Sequence, residues 1–66
     1  MSVVKVIEII SEGKSIDDAV KAAVAEAGET LSHIKQVNVE NIQAIVEKGK
    51  VVKFRVITKL SFLVVN

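Results

Sequence analysis

The 66-residue chain has no cysteine, proline, tryptophan or tyrosine, and only two phenylalanines. Without cysteine it has neither a disulfide scaffold nor a thiolate metal cluster. Few aromatic rings and a formal net charge of +1 exclude the usual features of nucleic-acid binding. Charged residues interrupt the apolar ones every few positions, so neither a transmembrane span nor a signal-peptide core is expected. We therefore expect a cytoplasmic protein that contacts neither nucleic acid nor a membrane.

What the chain has in abundance is β-branched aliphatic residues, since Val and Ile occupy 21 of its 66 positions. Such residues are stiff at χ1 and favour strands. A hydrophobic fraction of 50% also excludes a disordered chain. A lone domain of this length buries only about 60% of its unfolded-chain surface. Either the core is very efficient, or other copies of the chain bury the remaining apolar surface.

The first half of the chain predicts a strand followed by a helix. Residues 3–10 are apolar in both phases and indicate a strand, and residues 11–14 indicate a loop. Ser15, three residues before Asp18, is typical of a helix N-cap. An apolar stripe built mostly from alanine continues from there, and we expect the helix to end near residues 32–33.

The second half predicts two long strands joined by a hairpin. Residues 34–46 alternate between apolar and polar, but the phase slips by one near Asn41, which predicts a β-bulge. Residues 47–50 indicate a hairpin turn in which Gly49 can take a positive φ. Residues 51–65 alternate most clearly, and at about 3.3 Å per residue they would span roughly 50 Å.

We therefore expect a single α+β domain over residues 1–66, with the element order β-α-β-β. The hairpin strands must be antiparallel, and the first strand lies beside one of them, giving a three-stranded antiparallel sheet partly wrapped around one helix. One helix cannot cover both faces of strands this long. The other face mixes apolar, charged and amide side chains, which suits contact with further subunits or with a ligand.

Several different short motifs follow one another along the chain in a characteristic order and spacing. They are Val3-Val4-Lys5-Val6-Ile7-Glu8, Ser15 at the helix cap, the alanines from Ala19 to Ala27, Thr30, Phe54-Arg55-Val56 and Leu60-Ser61-Phe62. In these motifs the chain resembles the dodecin family. The resemblance implies β-α-β-β subunits assembled as a hollow homododecamer. It also implies a protein that binds or stores a small ligand and is not an enzyme.

The resemblance further implies where a ligand would bind. Family members best known for binding flavin hold pairs of flavin rings between subunits, with a stacking Trp on the second strand and a hydrogen-bonding Gln on the third. These positions fall at Gln36 and Arg55, and an acidic position near the flavin tail falls at Asn41. Since stacking contributes about 1–3 kcal/mol per ring, we expect flavin binding to be weakened or lost. Gln36, Asn38, Asn41 and Arg55 are the candidate ligand-binding residues.

Two alternatives to a flavin-type ligand stay open. Arg55 without any Trp is also similar to a branch described as calcium-binding dodecin-like proteins. A calcium site would require carboxylates repeated about a symmetry axis, because calcium needs several converging oxygens and one chain offers only the pairs Asp17/Asp18 and Glu8/Glu12. The second alternative is a purely structural shell with no cognate ligand. The sequence alone assigns no particular metal.

The role of Arg55 is open as well. Its guanidinium can clamp the phosphate or carboxylate of a ligand. It can equally pair with a glutamate on a solvated or inter-subunit polar face. The chain shows neither a nucleophile–base pattern nor a glycine-rich phosphate loop, so we do not expect catalysis.

Overall fold

The computed structural model describes residues 3–64. Its elements are β1 (Val3–Gly13), α1 (Ile16–Gly28), β2 (Ile34–Glu47) and β3 (Lys50–Val64). The predicted α+β class and the order β-α-β-β are confirmed. The last residue of the predicted third strand, Val65, lies outside the described residues, as do the ends of the expected domain over residues 1–66.

The three strands form one sheet in the order β1-β3-β2, with β3 antiparallel to both neighbours. The first strand therefore pairs with the last one. The hairpin turn between β2 and β3 contains Lys48 at φ 52° and Gly49 at φ 76°, so the predicted positive φ of Gly49 is confirmed. Because β3 is central, it supplies the three largest fully buried side chains among the described residues, Val56, Thr58 and Leu60.

The helix begins as the sequence predicts. Ser15 is the N-cap, and its Oγ accepts a hydrogen bond from the Asp18 backbone N–H at 3.0 Å, which satisfies one of the unpaired donors of the first turn. Ala19, Ala23 and Ala27 form the buried stripe.

Within residues 3–64, no helix has the length and apolar character needed to cross a membrane.

Small side chains let α1 lie very close to β1. The Ser11 hydroxyl donates a hydrogen bond to the Ala19 carbonyl oxygen at 2.6 Å. At Gly13, an added Cβ would lie 2.6 Å from the Ala19 backbone nitrogen, a distance that no side chain tolerates. The close approach therefore depends on alanine in the helix and on glycine at the end of the strand.

Two predicted boundaries were wrong. Strand β1 continues to Gly13, through most of the predicted loop, because residues 11–13 keep pairing with β3. The helix ends at Gly28 and not near residues 32–33. Glycine weakens the last turn. The backbone N–H groups of Glu29 and Thr30 then donate to the carbonyl oxygens three residues earlier, as in a 3₁₀ turn. His33 takes a left-handed φ of 61°, which turns the chain into β2.

The chain is elongated and leaves much of its surface exposed. Its dimensions are 52 × 19 × 13 Å, and its radius of gyration is 13.7 Å, against about 11 Å for a compact domain of this length. Its accessible surface is 4831 Å², against about 4,100 Å² for a typical monomer of 7.1 kDa. A single 13-residue helix covers only part of one sheet face.

Candidate functional site

The sheet face turned away from α1 carries all four candidate ligand-binding residues. Leu60 packs in one cluster with Ala23 and Ala27 of the helix, so alternation turns the neighbouring β3 residues to the opposite side. The register extends this assignment to β1 and β2. We call this surface the open face. Its members are Val4, Val6, Glu8, Ile10 and Glu12 of β1, Gln36, Asn38, Asn41, Gln43 and Ile45 of β2, and Lys53, Arg55, Ile57, Lys59, Ser61 and Leu63 of β3.

A β-bulge brings two of the candidate residues onto this face together. The register of β2 against β3 shifts immediately before Asn41, so the bulge predicted there is confirmed. Asn38 and Asn41 are three positions apart, and simple alternation would place them on opposite faces. The extra residue, Glu40, restores the phase, so that Asn38 pairs with Lys59 and Asn41 pairs with Ile57.

Arg55 is held by an ion-pair cluster that the sequence did not locate. Its Nε and Nη2 donate hydrogen bonds to Glu12 Oε2 at 2.9 and 2.7 Å. Lys53 Nζ donates to the other oxygen, Glu12 Oε1, at 2.8 Å. The hydrogen bonds from Lys53 and then from Arg55 hold the pKa of the Glu12 carboxyl below its ordinary value. We call these three residues the Glu12 cluster. Of the two roles that the sequence left open for Arg55, the structure shows the pairing with a glutamate.

An open depression of about 680 Å³ lies beside the Glu12 cluster, and this volume is within the range of small-molecule sites. Its floor includes Ile10 and Ile57, which are direct cross-strand partners. Glu12, Arg55 and Gln43 form one polar row across the three strands. The complete lining is Ile10, Ser11, Glu12, Gln43, Arg55 and Ile57. An apolar floor beside a row of hydrogen-bonding groups suits a flat organic ligand.

Gln36 lies far from this depression within one chain. It pairs with Ser61, whereas Arg55 pairs with Gln43. The six positions that separate Ser61 from Arg55 along β3 correspond to roughly 20 Å. A small ligand can therefore contact Gln36 and Arg55 together only if two copies of the chain each supply one of them.

The other two candidate residues also lie outside the depression. The Asn38 side-chain amide donates a hydrogen bond to the Glu40 carboxylate. The same carboxylate lies 3.6 Å from Lys59 Nζ, so Asn38 belongs to a second polar group on the open face. Asn41 is exposed beside Ile57, its cross-strand partner. Of the four candidates, the structure brings only Arg55 into the depression.

Glu12 and Gln43 are the depression residues that sequence reasoning missed. In the sequence, Glu12 is noticed only as a member of an acidic pair with Glu8. The two are four positions apart on β1, about 13 Å, so their carboxylates do not converge. Strand alternation could have placed Glu12 on the open face, but its pairing with Arg55, 43 residues away, depends on the β1–β3 register.

Among residues 3–64, no three Asp, Glu, His or Cys side chains lie close enough together to hold a metal ion.

The fold and the site define a small α+β protein in which a long antiparallel sheet is covered by a helix on one face only. The dodecin family model matches residues 3–65. The chain therefore belongs to the dodecin family, and the resemblance seen in the sequence is confirmed.

Solved structures share this fold over nearly the whole chain. A point mutant of the dodecin from T. thermophilus has a TM-score of 0.93 at 24% identity, covering 100% of both chains. The dodecin from Streptomyces coelicolor has a TM-score of 0.91 at 27% identity, covering 98% of this chain and 94% of its own. The dodecin from Streptomyces davaonensis reaches 0.91 at 18% identity, covering 98% and 97%. The comparison with curated proteins finds no match.

Proposed function

We propose that the chain is the subunit of a closed homo-oligomer of twelve copies, which binds or stores a small molecule between its open faces. The observation that carries this proposal is the open face itself, with its depression beside the Glu12 cluster. Gln36 and Arg55 can meet on one ligand only across a subunit boundary. A site between copies therefore fits both the positions of these residues and the family.

Exposed apolar side chains support assembly through the open face. Val4, Val6 and Ile10 are 57%, 56% and 58% exposed. Apolar surface contributes about 25 cal/mol per Å² when it is removed from water. Contiguous apolar patches on a sheet are typical of interfaces, and a second copy would bury these three residues.

We propose further that flavin binding is weaker here than in family members with a stacking Trp. Gln36 is exposed on the open face and faces Ser61 across the strand pair. The family resemblance puts the stacking ring at this position, where this chain would offer an amide. What replaces the lost stacking is a set of amides: those of Gln36, Asn38, Asn41 and Gln43. Amides recognise ligands by hydrogen bonds and contribute less to affinity than an aromatic platform does.

The proposal is for a binding protein that works in the cytoplasm and not for an enzyme. Two serines have structural roles: Ser11, in the lining of the depression, donates to the helix backbone, and Ser15 caps the helix. His33 is exposed in the turn before β2. None of these three groups is positioned as a nucleophile or a base in the depression.

The native mass tests the assembly. We expect a mass about twelve times 7.1 kDa, and a mass near that of one chain would contradict the proposal. Val6→Lys places a charge on the open face and should reduce the assembly. Ala25→Lys is the matched control, because Ala25 lies on the exposed side of α1, opposite the buried stripe.

Titration of the purified oligomer tests the ligand. Quenching of riboflavin fluorescence at micromolar protein would support retained flavin storage, and its absence at high micromolar protein would exclude flavin as the ligand. Calcium, bound by carboxylates that are repeated about a symmetry axis, would give heat on titration and a higher melting temperature. If neither ligand changes the melting temperature or the assembly, the result favours the alternative of a structural shell without a cognate ligand.

A further inference from the structure

The Glu12 cluster places two cations at the edge of the depression and a carboxylate between them. Lys53 and Arg55 lie two positions apart on β3, so both side chains point to the open face. Glu12 is the direct cross-strand partner of Arg55, which brings its carboxylate within reach of both. The three side chains remain 35–42% exposed, so the cations are accessible from solution.

The geometry of the cluster is that of an occupied anion site. Two guanidinium N–H groups converge on one Glu12 oxygen at 2.7 and 2.9 Å, and the Lys53 ammonium binds the other at 2.8 Å. A phosphate or carboxylate of a ligand would be held by the same three donors at the same distances. Exposed ion pairs add little to folding stability, so the main effect of Glu12 lies in the charge that it presents to a ligand.

We infer that Glu12 is an internal anion that occupies the place of a ligand phosphate or carboxylate at Lys53 and Arg55. This end of the depression therefore accepts uncharged ligand groups and excludes anionic ones. The inference rests on the proposed ligand-binding function and adds the class of ligand to it. With Glu12 present the cluster has a net charge of +1 and its donors are engaged, whereas without it the charge is +2 and the donors of both cations are available to a ligand.

The direct test removes the internal anion and offers an external one. The assembled wild type and the Glu12→Ala variant are titrated with inorganic pyrophosphate by calorimetry at constant ionic strength. Since the hydrogen bonds that the two cations regain with an external anion are charge-assisted, Glu12→Ala should bind pyrophosphate at least about tenfold more tightly than the wild type. Adding Arg55→Gln to Glu12→Ala should remove the gain.

A second carboxylate, which contacts residues of the open face, provides the matched control. Among residues 3–64, Glu40 contacts one cation, Lys59, at 3.6 Å, so Glu40→Ala makes the same change of charge without freeing a pair of cations. If Glu12→Ala shows no gain, or if Glu40→Ala gains as much, the inference is wrong. If Glu12→Ala fails to assemble, Glu12→Gln keeps the shape of the side chain, removes the charge and decides the question in the same way.

A comparison of two flavins then separates this inference from the proposed function. Riboflavin and flavin mononucleotide share the ring and differ by one phosphate. Glu12→Ala should tighten the binding of the mononucleotide relative to riboflavin, and an unchanged ratio would contradict the inference. If the wild type binds neither flavin, flavin is not the ligand of the proposed storage function. The pyrophosphate titration then still decides the role of Glu12.

Discussion

Replacing Gln36 by tryptophan is the sharpest test of the proposal that this chain binds flavin weakly because it lacks a stacking ring. Gln36 is exposed on the open face. Its cross-strand partner is the small residue Ser61, and Val6 follows on the other side of Ser61 in the same row. An indole at position 36 can therefore lie on the sheet without disturbing the core beneath α1.

The expected gain follows from the stacking that the wild type lacks. One aromatic ring stacked on a flat heterocycle contributes about 1–3 kcal/mol. This corresponds to a riboflavin dissociation constant about 5-fold to 150-fold lower for Gln36→Trp. If two subunits each supply one ring to a flavin pair, the gain should be toward the upper end of this range.

Riboflavin fluorescence quenching on the assembled protein measures the effect. Ala25→Trp is the control, because it adds the same ring to the exposed side of α1, away from the open face. We expect tighter binding for Gln36→Trp and little change for Ala25→Trp. Equal affinity in all three proteins would refute the reasoning, as would an equal gain in both variants.

Three further predictions concern the fold and the Glu12 cluster. Gly13→Ala should lower the free energy of unfolding by about 1–3 kcal/mol, because its Cβ would lie 2.6 Å from the Ala19 nitrogen; Gly28→Ala, which meets nothing within 4 Å, should raise it by about 0.5–1 kcal/mol. Urea denaturation that gave both variants the same sign would contradict this. Leu60→Ala should cost about 2–5 kcal/mol, because Leu60 is fully buried, and a cost below about 1 kcal/mol in the same assay would contradict its place in the core. The folded-state pKa of Glu12 lies below its ordinary 4.5, so its ion pairs stabilise the fold fully above pH 4.5 and are lost as the pH falls through the lower folded-state pKa. Because exposed ion pairs add little to stability, Glu12→Gln should flatten this loss only slightly, and a loss steeper than that of the wild type would argue against the ion pairs.

Local signals in the sequence were sufficient for the elements themselves. The helix start follows from Ser15 and Asp18, because an N-cap satisfies the backbone of its own first turn and needs no distant partner. The bulge before Asn41 follows from alternation alone, because a slip in phase would otherwise turn a whole face over. The turn at Gly49 is local for the same reason.

Boundaries that depend on a partner could not be predicted in the same way. Residues 11–13 resemble a loop in isolation, but β3 supplies pairing partners that keep them extended. The end of the helix was placed several residues too late, because the apolar stripe continues to Leu31. Leu31 packs on the core from beyond the helix, so its spacing imitates another helical turn.

The features of the candidate site follow the same distinction between local signals and contacts with distant segments. The sequence by itself determined the elements, the Ala-rich helix, the surplus of Val and Ile, and the absence of a stacking Trp, because each of these is a property of residues close together in the chain. Only the tertiary structure decided that β3 lies between β1 and β2, that Glu12 meets Arg55, and that Gln36 and Arg55 lie roughly 20 Å apart. These facts depend on strand order and register, which are set by packing between segments that are distant in sequence.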